Sequence, residues 1–235
     1  MSPTKIDADH KNSVLQHLLN DVSQIITLDA NFFIPPDRRR EGIPAQFESD
    51  RYIRVWIDPF FHTYPNLAIH EAVLDELLTE TVIRSYADMK IASAKLLLLK
   101  DSDLTLEEML VRNTKERLIA PNTQYDPDRD NKNDRGEVKS LAHLGAKGYI
   151  YFASNDKNAI RLVEEADKLG TSLDEQRIVK FYEGMYLLRR FDAVPATDIK
   201  WLYKYLYGFT KRDKNRNLGW SDFIAKMDKL YSEQT

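Results

Sequence analysis

The chain has no cysteine among its 235 residues. That excludes disulfides, thiolate zinc sites and cysteine nucleophiles, and it suits a reducing compartment. Glycine is scarce, with 8 residues, and neither a glycine-rich phosphate loop nor a nucleophile elbow is present. No apolar run approaches the roughly 20 residues that cross a bilayer. The stretch Met1 to Asn12 is polar, without the apolar core of a signal peptide. The expectation is a cytoplasmic protein with no membrane partner. A strong charge of one sign is missing too: the net charge is -3 and the pI about 6.0. A basic coat for nucleic acid is therefore absent, although clustering rather than the sum decides affinity for phosphates. What is present is a globular composition, 43% hydrophobic, 30% charged and 11% aromatic. It suits one large domain or a domain with an appendage.

Short apolar runs alternate with helical periodicity. Ile25–Leu28 and Tyr149–Ala153 are β-rich runs, with a further strand candidate at Ile178–Tyr182. Leu96-Leu97-Leu98-Leu99 is either the end of a helix or a buried strand. Helices are predicted over Val14–Val22, Tyr52–Phe61, Asn66–Arg84, Thr105–Ile119, Glu137–Ala146, Lys157–Leu169, Thr197–Phe209 and Ser221–Tyr231. Thr105 with Glu108 makes a capping box, and Gly170 closes the Lys157 helix. Residues 1–12 should fray, and Pro121 to Asn133 should form a mobile loop of turn residues. The alternation argues for an α/β fold, a parallel sheet with helices on both faces. Ligands of such sheets sit beyond the carboxyl ends of the strands.

Two acidic residues lie at such ends: Asp29 after Ile25–Leu28, and Asp156 after Tyr149–Ala153. Glu76 falls on the apolar-rich face of its helix, near Ile69, Ala72, Val73 and Ile83, where an unpaired carboxylate costs several kcal/mol. Glu137 opens another helix. Carboxylates gathered in one cleft are stable together only with bound cations or raised pKa values. That points to a divalent-metal site and phosphodiester chemistry. Each residue also has a structural alternative. Asp29 and Asp156 are good helix caps. Glu76 can be a salt-bridged edge residue. Asp134-Arg135-Gly136-Glu137 fits a capping box, and Asp134 competes with Glu137 as a ligand. The basic segments Arg38-Arg39-Arg40 and Lys211 to Arg216 either contact a phosphate backbone or form solvated loops. The aromatic residues Phe181, Tyr182, Tyr186, Tyr203, Tyr205 and Tyr207 suit a core better than a stacking platform.

Taken in order, Leu28-Asp29-Ala30-Asn31, Val73-Leu74-Asp75-Glu76-Leu77, Gly136-Glu137-Val138-Lys139-Ser140-Leu141-Ala142 and Phe152-Ala153-Ser154-Asn155-Asp156 resemble the PIN domain, a metal-dependent nuclease fold. The resemblance implies a three-layer α/β/α sandwich with a central parallel sheet over residues 24–192, carrying an insertion near 101–133. It leaves 1–23 as an N-terminal extension and 193–235 as a C-terminal helical extension packed on the domain. It implies that Asp29, Glu76, Glu137 and Asp156 hold Mg²⁺ or Mn²⁺ and catalyse hydrolysis of RNA, with single-stranded RNA the favoured partner. Asn31 and Ser154 would contact metal water or a substrate phosphate. Related readings are a non-catalytic RNA- or protein-binding module, the toxin of a toxin–antitoxin pair with its antitoxin as partner, and a DNA-directed structure-specific nuclease. Homodimers are common among PIN-like nucleases.

Overall fold

A computed structural model describes residues 4–44 and 48–232. Five short strands form one all-parallel sheet in the order β3-β2-β1-β4-β5. They are β1 (Ile26–Leu28), β2 (Leu67–His70), β3 (Leu96–Leu99), β4 (Tyr151–Ala153) and β5 (Arg177–Val179). Successive strand residues face opposite sides. Ile26, Leu28, Leu67, Ile69, Tyr151, Ala153 and Val179 join one apolar cluster, while Ala68, Phe152 and Ile178 join the other. Both faces are covered by helices, so the sheet is the middle layer of a three-layer sandwich.

The first layer holds α1 (Ser13–Asn20), α2 (Ala30–Phe33) and a continuous helical stretch from α3 (Ser49–Tyr52) through a π-helical turn (Ile53–Ile57) into α4 (Asp58–Thr63). Between β2 and β3 run α5 (Glu71–Glu76) and α6 (Thr81–Ala92). The second layer contains α7 (Leu106–Ile119), α8 (Arg135–Lys147), α9 (Lys157–Glu164) and α10 (Ala166–Leu169). The chain returns to the first layer with α11 (Phe181–Arg190), α12 (Ala196–Tyr207), α13 (Lys211–Arg216) and α14 (Trp220–Tyr231). Ile199, Leu202 and Phe223 share the cluster that holds β1 and α11, so the C-terminal helices are continuous with the first-layer core. No helix among the described residues is long and apolar enough to cross a membrane.

Three sequence expectations are corrected. Asn66–Arg84 is not one helix: Leu67–His70 is β2, hydrogen-bonded between β1 and β3. The described part of the N-terminus does not fray. Ile6 and Ala8 are buried, Asn12 caps α1, and the Tyr231 hydroxyl accepts from the Asn12 N–H. The Pro121 to Asn133 segment is pinned rather than free: Tyr125 is buried and its hydroxyl bonds Glu116 and Asp130. The predicted Thr105–Glu108 capping box is present, and Gly170 ends α10 in the left-handed conformation with φ 65°. Part of the Asp37 to Ser49 loop, at 45–47, lies outside the described residues.

Candidate functional site

The sheet order places β1 beside β4 at the point where strand order reverses, the position at which parallel sheets open a crevice. The Asp29 N–H donates to the Ala153 carbonyl, so the exits of β1 and β4 are locked in register. A cavity of about 460 Å³ opens there. Asp29, Asn31, Glu76, Asp134, Glu137 and Asp156 all line it. Ser154 is buried behind Asp29.

Each carboxylate is held by local chemistry. Asp29, 5% exposed, caps α2 by accepting from the Ala30 N–H at 2.8 Å. Its other oxygen accepts from the Ser154 hydroxyl at 2.6 Å and from the Asn31 amide. Asp156 caps α9 by accepting from the Asn158 N–H at 2.6 Å. Glu76 ends α5 and accepts from the Gly136 N–H at 3.0 Å. A Cβ at position 136 would collide with the Glu76 carboxylate, so the glycine is what lets α8 start this close. Glu137 accepts from the Asn158 side-chain amide at 3.0 Å. Asn31 and Ser154 are committed within the cluster: Asn31 also accepts from the Asn155 N–H, and Ser154 from the Asp156 N–H.

The capping-box alternative for Asp134 and Glu137 fails. Asp134 sits at the α8 N-cap in a left-handed conformation, φ 54°, without a side-chain cap bond. Its carboxylate instead accepts from the Gln124 N–H at 2.8 Å. The salt-bridge alternative for Glu76 fails as well. Among the described residues none of Asp29, Glu76, Asp134, Glu137 or Asp156 is in an ion pair. Arg135 pairs with Asp130 and Asp75, and Lys139 pairs with Asp130.

Like charges without counter-ions, buried together, resist ionisation. Burial pushes Glu137 up to about 9, with the Asp29 and Asp156 charges adding to it. Burial also pushes Glu76 to about 7, with Asp29 the next cause, and Asp29 itself to about 6. Hydrogen bonds from Ser154 and the Ala30 N–H oppose the Asp29 shift.

A second group was not visible in the sequence. His70 at the end of β2, Asp101 after β3 and His143 in α8 each offer a ligand atom within 4.8 Å of the others, and together could hold a metal ion. No three of the cleft carboxylates bring oxygens that close among the described residues. The histidine group is also hydrogen-bonded as it stands. The Ala72 N–H donates to His70 Nδ1, so the ring proton is on Nε2, which donates to Asp101 at 3.2 Å. His143 Nδ1 meets the same oxygen at 3.0 Å, and Arg112 pairs with the other at 2.8 Å. An ion on His70 Nε2 would force the proton to Nδ1, against the Ala72 N–H, and cost α5 its cap.

The basic segments divide. Arg38 is buried, 1% exposed, and its guanidinium bonds Glu41, Asp213 and the Tyr205 and Leu206 carbonyls. It is withdrawn from any phosphate. Arg39 pairs with Asp37. Lys211 to Arg216 is a short helix rather than a loop. The aromatic residues from Phe181 to Tyr207 named above are all buried. No known protein family, characterised protein or solved structure matches the chain.

Proposed function

We propose that the acidic cleft is the active site of a PIN-type, divalent-metal-dependent endoribonuclease that hydrolyses phosphodiester bonds of single-stranded RNA. The observation that carries this reading is the convergence of Asp29, Glu76, Glu137 and Asp156, from four separate elements, on one strand-exit crevice with no ion-paired cation among the described residues. An all-oxygen donor set suits Mg²⁺ or Mn²⁺. No three of those carboxylates converge on one point as they stand, so one or two of the four would hold the ion directly and the rest would meet its waters, with Asp134 also lining the cleft. When bound, it would lower the pKa of a water to make a nucleophile and offset charge on the phosphoryl group.

The chain's own groups prepare that site. Ser154, Asn31 and the Ala30 N–H fix the Asp29 carboxylate. The Gly136 N–H and the Asn158 amide orient Glu76 and Glu137. Glu137, pushed up to about 9, keeps a proton near neutral pH that a cation would displace. Ile34, Pro35, Pro36 and Leu206 add apolar surface to the lining of the cleft. An unpaired base can splay onto such a surface, and a base stacked in a duplex cannot.

The test is cleavage of labelled single-stranded RNA, single-stranded DNA and duplex RNA in Mg²⁺, Mn²⁺ and EDTA, with Asp29→Asn and Asp156→Asn. Metal-dependent cutting of single-stranded RNA, lost in both folded variants, is the expected result. Unchanged cutting by the variants would end the proposal. A non-catalytic binding module is the competing reading, because Asp29 and Asp156 both cap helices. Glu76 takes a first-turn N–H of α8 in the same way, but Glu137 caps nothing and meets only the Asn158 side-chain amide, which weighs against it.

A further inference from the structure

Among the described residues one cation lines the cleft. Lys132 lines it among acids, an amide pair and apolar side chains, and it also lines an adjoining depression of about 470 Å³ bounded by Ala72, Asp75, Glu76 and Leu78. The two hollows share Glu76 and Lys132, so Lys132 stands where one passes into the other.

The neighbouring cations are committed to aspartates of the loop itself and, for Arg135, also to Asp75 of α5. Arg117 pairs with Asp128, Arg129 with Asp126, Arg135 with Asp130 and Asp75, and Lys139 with Asp130. Among the described residues Lys132 is exposed and in no ion pair. Its backbone is nevertheless anchored on both sides. The Asn131 side chain accepts from the Asp126 N–H at 2.6 Å and donates to the Gln124 carbonyl at 2.9 Å. Asp134 takes the Gln124 N–H at 2.8 Å. The loop therefore presents one ammonium, on a fixed base, at the exit of the acidic cleft.

Resting on the nuclease reading, we infer that Lys132 is a substrate-binding residue. It contacts the phosphate of a single-stranded nucleic acid next to the scissile one, where the strand leaves the acidic cleft for the adjoining depression. A lone ammonium on a flexible stem binds phosphate as a point charge. It holds the backbone without reading the base, and it offsets the repulsion between a polyanion and an acidic cleft.

The experiment is steady-state cleavage of fluorescein-labelled single-stranded RNAs of different sequence in Mn²⁺, across ionic strengths, by wild type, Lys132→Ala and Lys132→Arg. Melting with and without Mn²⁺ is measured on the same proteins. Lys132→Ala is expected to raise KM about tenfold for every sequence, with kcat within about twofold, and to flatten the salt dependence by about 0.7 in log–log slope. The Mn²⁺ melting shift should be untouched, and Lys132→Arg should recover most of the loss. Wild-type KM and salt slope in Lys132→Ala, with RNA still cut, would overturn the inference and leave the nuclease reading standing. A wild type that neither cuts nucleic acid nor is stabilised by Mn²⁺ would remove that reading, and the inference with it.

Discussion

Glu137, Glu76 and Asp29 sit at about 9, about 7 and about 6, above the ordinary carboxylate range, chiefly through burial. Raised acids bind more protons folded than unfolded, so their contribution to stability is present at low pH and lost as pH rises through the folded values. The metal-free protein is therefore expected to melt progressively lower from about pH 5 to about pH 9, and Glu137→Gln should flatten that decline. Stabilisation by Mn²⁺ should grow over the same range as protons are displaced. A melting series at several pH values, with and without Mn²⁺, checks both; a metal shift that shrinks as pH rises would contradict the assignment of the acids. Ser154 supports Asp29 without facing the cleft. Ser154→Ala should weaken metal affinity or cleavage by roughly 10- to 100-fold, the usual cost of losing a ligand's hydrogen-bond partner. At this scale the strand-end acids Asp29 and Asp156 were legible, because a short apolar run followed by Asp is a local pattern. The capping box offered as an alternative for Asp134 and Glu137 does not form, because the left-handed backbone of Asp134 turns its carboxylate toward Gln124. The partnership of Asn158 with Glu137 joins two elements and has no local signature.

Among the elements, the start of α8 sets the width of the cleft. Its first turn approaches α5 through Gly136, whose N–H bonds Glu76 and whose missing Cβ leaves room for that carboxylate and for Val73. Gly136→Ala must displace one or the other. The expected cost is about 1–3 kcal/mol, as for overpacking, although alanine is the better helix former. Metal affinity should fall with it. A variant that melts at or above wild type with its Mn²⁺ shift intact would show that Glu76 moves freely and is not positioned by α8. Most helices were legible from periodicity, and β4 from its five-residue apolar run. Strand β2 was not, since Leu67–His70 runs into Glu71 without a turn residue and its apolar residues continue the helical spacing of α5. Both faces of β2 are buried, so it lacks the alternation that marks a half-exposed strand. The His70 group was hidden for the same reason, since only the pairing of β2 with β3 brings His70 to Asp101.

Across the whole molecule, Arg38 joins segments far apart in the chain. Its guanidinium spans Glu41, the last turn of α12 through the Tyr205 and Leu206 carbonyls, and Asp213 of α13. The sequence showed only three adjacent arginines, which composition alone assigns to a surface. Burial of one of them follows from α12 and α13 folding back over the loop after α2, a contact that no local pattern encodes. The same fold-back puts Leu206 on the wall of the acidic cleft beside Pro35 and Pro36, so the C-terminal helices help to shape the site. Removing one partner of a buried ion pair leaves Asp213 and two carbonyls without their donor. Arg38→Ala is therefore expected to cost about 3–5 kcal/mol, and to lower the melting temperature by roughly 10 °C in a chain of this size. Arg38→Met combined with Asp213→Asn, which removes the buried pair and leaves the more exposed Glu41 as the one remaining charge of the three, should recover part of that loss. The acids lie on other elements, so the Mn²⁺ shift should survive in Arg38→Ala. Single-stranded RNA should bind less tightly, because the apolar lining loosens with α12. Melting and RNA binding on the same preparations separate these effects. If Arg38→Ala melts like the wild type, the arginine is not the tie between the loop and the C-terminal helices.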